Sequence, residues 1–123
     1  MTKDITASER PATTQRKQLL LENICAYVDA NLERRITLQM VADAFDVSIS
    51  SVTQLFQNKA GITFHQFLTQ RRMAAAETLI RQGLPLEDVG RHIGYTDHSS
   101  FYRAFVQYFG CSPRDFKRKL NQD

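Results

Sequence analysis

At 123 residues, 42% of them hydrophobic and 24% charged, the chain can bury one core, and disorder along its whole length is excluded. A formal net charge of +3 is too small to name a partner, and Cys25 and Cys111, far apart with no CxxC spacing, give neither a disulfide framework nor a four-ligand zinc site. No apolar run reaches the roughly 18 residues of a membrane span, and the opening MTKDITASERPATTQR lacks the apolar stretch of a secretion signal, so a cytoplasmic protein with no membrane partner is expected.

Residues 1–15 are polar with one proline and no apolar period, which predicts a flexible arm. Residues 16–32 space Leu20, Ile24, Tyr27 and Val28 as one face of a first helix. Thr37 reads as the N-cap of a short helix with Leu38, Val41, Ala42 and Phe45 on one side. After three residues a third helix runs from Ile49 to about Lys59, its Val52, Leu55 and Phe56 inward and its Ser50, Thr53 and Gln54 outward, and Gly61 ends it. A long helix over residues 63–82 carries Arg71 and Arg72 in its middle, and Gly83 stops it. The stretch LPLEDVGRHI then opens another short helix that ends before Gly94.

The chain repeats itself. A shift of 48 places Leu38 on Leu86, Val41 on Val89, Ala42 on Gly90 and Phe45 on Ile93. Past the turn a shift of 49 places Ser50 on Ser99, Ser51 on Ser100, Phe56 on Phe105, Gly61 on Gly110 and Phe67 on Phe116, so the second turn has one extra residue. The repeated unit is a short helix, a tight turn and a second amphipathic helix, which is a helix-turn-helix. Ala42 and Gly90 supply the small residue where the two helices cross. Asp46 and Gly94 supply the turn residue that tolerates positive φ, and Ser48 and Asp97 supply the next N-cap. The result is an all-α fold of about seven helices, with a helix-turn-helix subdomain over residues 16–62, a linker helix over 63–82 and a second subdomain over 83–123.

The segment GYTDHSSFYRAFVQYFGCSPRDFKRK, together with Arg72, Ala76, Leu79 and Ile80 upstream, resembles the DNA-binding domain of the AraC/XylS family of bacterial regulators over about residues 20–119. That resemblance implies a rigid linker helix that spaces two recognition helices about one DNA turn apart. It also implies that Ser50, Ser51, Thr53 and Gln54 face bases from the first recognition helix, and His98, Ser99, Ser100 and Arg103 from the second. Gln54 stands where the family often has Arg, and Asp46 where it commonly has Gly. With so short an arm, the chain resembles the stand-alone stress-response activators of the family. Such a protein binds DNA as a monomer, works in the nucleoid, needs no cofactor or effector, and engages RNA polymerase.

Phosphate contacts are expected at Thr63 and Ser112, each opening a helix just after a recognition helix ends, because exposed backbone N–H groups there hold anions. The second half of the chain carries nine basic and six acidic side chains against seven and seven in residues 1–60. Arg114, Lys117 and Arg118 are the matching candidates, although a solvated helix face fits that cluster as well. Arg103 has two readings, a bidentate grip on guanine or a structural pair with Asp97 or Asp115. His65, His92 and Cys111 lack ligand spacing, and Phe56, Phe105, Phe109 and Phe116 fall on the inward stripe and read as core. With no Ser, His and Asp set, paired carboxylates or glycine-rich phosphate loop, an enzyme is not expected. The remaining alternative is an interaction module that acts through RNA polymerase or another regulator, with weak DNA binding.

Overall fold

The computed structural model describes the backbone of residues 4–122 and the side chains of residues 15–122. Seven α-helices follow in order, α1 (Asp4–Ala30), α2 (Leu38–Ala44), α3 (Ile49–Leu55), α4 (Phe64–Arg81), α5 (Leu86–His92), α6 (His98–Phe109) and α7 (Pro113–Gln122). A π-helical turn, Phe56–Ala60, continues α3, and there is no strand among the described residues.

Helical backbone begins at Asp4 and not at Arg16, where the first helix was expected; residues 1–3 lie outside the described residues. Adding residues to an existing helix costs far less than nucleating one, and Ala7, Glu9, Arg10 and Ala12 are good helix formers. Pro11 removes one backbone hydrogen bond, yet its ring holds φ close to the helical value.

The chain divides into two compact units, one of residues 1–30 and 36–64, the other of residues 31–35 and 65–123. In the first, Ile24 and Val28 of α1 are fully buried with Val41, Ala42, Val52 and Phe56. Edge-to-face ring pairs hold its margins, Tyr27 on Phe45 at 5.6 Å and Phe56 on Phe64 at 5.5 Å between centroids. In the second unit Met73, Ala76 and Ile80 of α4 join Val89, Ile93, Phe101 and Phe105 in one core. Phe109 and Phe116 pack half-buried against it, with Phe105, Phe109 and Phe116 within 4.5–5.5 Å of one another. The expected linker helix is therefore, apart from Phe64, built into the second unit through its apolar stripe.

The repeat is visible in the backbone itself. Asp46 (φ 55°) and Gly94 (φ 96°), equivalent at the first shift, are both left-handed, as are Gly61 (φ 72°) and Gly110 (φ 79°) at the second. The Ser48 and Asp97 side chains each accept the N–H three residues on, from Ser51 at 3.0 Å and Ser100 at 2.7 Å. At the crossing of α5 and α6 a Cβ on Gly90 would lie 2.9 Å from the Phe101 Cβ, which is why this unit needs glycine there.

Candidate nucleic-acid interface

Each unit holds one helix whose inward stripe is buried and whose other side meets solvent. On α3, Val52 and Leu55 are inward while Ser50, Thr53 and Gln54 are exposed. On α6, Phe101 and Phe105 are inward while His98, Ser99 and Arg103 are exposed. The caps and left-handed turns just described fix where both helices start, so the exposed side chains sit on defined backbone.

Two of the expected base-reading residues are placed differently. Ser51 accepts a hydrogen bond from the Ser48 hydroxyl (2.9 Å) while its backbone N–H donates back to Ser48. Ser100, its repeat equivalent, is half-buried and turned to the Asp97 carboxylate. Both belong to the closure of the helix N-terminus, where a side chain three residues after the cap points back along the axis. Ser51 is nonetheless exposed, and the exposed faces also carry Ile49 (40% exposed) and Tyr102 (44% exposed). The shift of 49 pairs these with His98 and Thr53, so applying the repeat to the site residues themselves would have found both.

Arg103 is free of the structural pairs open to it. Asp115 pairs with Arg118 at 3.3 Å, and Asp97 is taken by Ser100. The Asp97 carboxyl is held below its ordinary pKa first by the Ser100 backbone N–H and then by the Ser100 side chain, with Arg103 the weakest influence. Among the described residues Arg103 makes no ion pair, which leaves the guanidinium available to a ligand.

Around the start of α6 the second unit opens a groove of about 380 Å³ lined by Leu86, Glu87, His98, Tyr102, Ser112, Pro113 and Arg114. It brings together three residues expected at the interface, His98, Ser112 and Arg114. The Ser112 hydroxyl accepts the Asp115 N–H at 3.1 Å and caps α7, whose first turn borders the groove. Arg114 and Arg118 are exposed and Lys117 is half-buried, while Thr63 is exposed just before α4. The exposed Arg118–Asp115 pair is weak by nature. No helix among the described residues is long and apolar enough to cross a membrane.

The family model described as "Helix-turn-helix domain" matches residues 41–119, more than half of the chain and both repeats. The chain belongs to the AraC-type helix-turn-helix family. Among curated members it is similar to the RCS-specific HTH-type transcriptional activator RclR of Escherichia coli K12, with 34% identity over 87 residues, which are 70% of this chain and 31% of that protein. The chain thus spans about a third of the length of that relative. Among solved structures the C-terminal domain of AraT, a response regulator from Geobacillus stearothermophilus, gives a TM-score of 0.77 at 26% identity, covering 81% of this chain and 84% of that one. The DNA-binding domain of AdpA, solved in complex with a target DNA, shares the fold with a TM-score of 0.77 at 17% identity, covering 83% of this chain and 93% of that one.

Proposed function

We propose that this chain is a sequence-specific DNA-binding unit of a transcription regulator, an activator like RclR, which sets α3 and α6 into two successive major-groove segments of one duplex. The observation that carries this reading is the pair of exposed faces at repeat-equivalent positions, each begun by a capped turn. Ser50, Thr53 and Gln54 read bases from α3, and His98, Ser99, Tyr102 and Arg103 from α6. Arg103 has the strongest part, since its planar fork matches guanine O6 and N7. Thr63, Ser112, Arg114, Lys117 and Arg118 hold phosphates, with the helix dipoles at the starts of α4 and α7 adding partial positive charge. The protein acts as a monomer at an asymmetric site in the nucleoid and recruits RNA polymerase; no step of this function is enzymatic.

Base reading and backbone holding separate cleanly in salt. Arg103→Ala should lose about 1–3 kcal/mol on a duplex selected by the parent chain and almost nothing on random DNA. Lys117→Ala with Arg118→Ala should weaken both duplexes alike and flatten the slope of log affinity against log salt by up to about two. Fluorescence anisotropy titrations at several salt concentrations measure all of this. Equal losses on the two duplexes for Arg103→Ala would remove base reading and leave the interaction-module alternative in its place.

A further inference from the structure

Arg72, on α4, is the least expected side chain in the second unit. It is half-buried, and its Nε is buried with no hydrogen-bond partner. It has no carboxylate partner among the described residues. Its Nη2 donates a long hydrogen bond, 3.4 Å, to the Arg34 carbonyl, and its guanidinium lies 5.4 Å from the centre of the Tyr95 ring. Gly94, beside that ring, leaves room for it: a Cβ there would come within 2.7 Å of Arg72 Nη2 and 2.5 Å of the Leu32 carbonyl oxygen. Burial lowers the pKa of Arg72, an effect that Tyr95 partly offsets, and burial raises that of Tyr95.

A methionine could fill this volume with no desolvation cost. What an arginine adds is reach, because one planar group touches the segment of residues 31–35 and the turn that launches α6. From that turn the contacts run on. Tyr95 packs on Phe101 at 5.9 Å, Phe101 is fully buried in α6, and His98 of the exposed face lies 6.1 Å from the same ring. Phe101 also lies close against Gly90, where an added Cβ would come within 2.9 Å of the Phe101 Cβ. The roll of α6 about its own axis is therefore set between Gly90 and the stack of Tyr95 and Arg72.

We propose that Arg72 is a positioning residue for base reading by α6: through Tyr95 and Phe101 it sets the angle at which His98, Tyr102 and Arg103 are presented, without touching DNA. The idea rests on the DNA-reading function proposed above. It requires that loss of Arg72 degrade discrimination under α6 while sparing discrimination under α3 and the phosphate contacts.

The test uses the full chain and a duplex selected from a random library by the parent, with base substitutions introduced separately under α6 and under α3. Arg72→Met should cut discrimination at the α6 positions about tenfold, within the range of one misaligned base contact, and leave α3 discrimination and the salt slope unchanged. Arg72→Lys, which keeps the charge over the ring, should restore part of the loss. Tyr95→Leu should match Arg72→Met, and the double variant should be no worse than either single one. In the free protein, amide hydrogen exchange across residues 95–103 should quicken in Arg72→Met while the urea midpoint stays near that of the parent. Unchanged α6 discrimination, or losses at both sets of positions in step with lost stability, would overturn the proposal; if Arg72→Met does not fold, Arg72→Lys and Tyr95→Leu decide it. A parent that discriminates nowhere would refute base reading itself, and the exchange measurement would still judge Arg72, with unchanged protection counting against it.

Discussion

Gly94 has two reasons to be glycine, and they can be separated by comparison with Gly61. Both are left-handed, which strains any residue with a Cβ by about 1–2 kcal/mol. At Gly61 the added carbon would meet open space, whereas at Gly94 it would lie 2.5 Å from a backbone oxygen that cannot swing away. Gly94→Ala should therefore destabilise by about 2–4 kcal/mol and Gly61→Ala by only about 1 kcal/mol, measured as shifts in the urea midpoint at constant slope. Equal shifts would mean that the turn relaxes around the new carbon. The need for positive φ here was legible in the sequence from the short gap between helices and from the match of Gly94 to Asp46 in the repeat. The crowding by Arg72 and Leu32 was not, since it joins residues far apart in the chain. Ser51 and Ser100 show the opposite limit, because helical spacing places a hydroxyl on the polar side but does not say whether its hydrogen bonds close the helix end or stay open to a ligand.

Among elements, α6 depends most on its cap. Asp97 has a folded pKa below the ordinary carboxylate value of about 3.9, so the stability it contributes is complete above that value and is lost as pH falls through the depressed one. Below pH 4 the urea midpoint of Asp97→Asn should fall less steeply than that of the parent; parallel curves would mean that the protonated cap serves as well as the ionised one. Caps and glycines made most helix boundaries readable, as Thr37, Ser48, Asp97, Gly61 and Gly110 all sit at the ends where the sequence placed them. Two boundaries were hidden. The start of α1 has no cap signal and extends by propagation into a polar segment. The end of α3 widens into a π-helical turn from Phe56 to Ala60, whose fully buried phenylalanine sits on an apolar stripe that looks the same to periodicity in either helix type.

For the whole molecule, the function proposed above, with two nonidentical helices reading DNA from one chain, calls for an asymmetric site and a single copy. Sedimentation equilibrium with a selected duplex of about 20 base pairs, two turns of DNA, should give one chain per duplex. A stable complex of two chains on a palindrome would count decisively against the monomer. The fold class and the repeat were legible at this scale because the unit of α2, turn and α3 recurs, with its punctuation, as α5, turn and α6 at a nearly constant shift. The division into units was not, because the repeat suggests a cut near residue 62, whereas packing assigns residues 31–35 to the later unit.

That interleaving bears on how the chain is made. Synthesis is vectorial, and early segments pack as soon as their partners leave the ribosome. The helices of the first unit are complete once Phe64 has emerged, but Arg34, already outside, has no Arg72 to meet its carbonyl until α4 follows. The Arg34 carbonyl is thus without that partner while α2 and α3 emerge. That contact forms only after α4 has emerged, so packing in the second unit reaches back to one of the earlier segments of the chain.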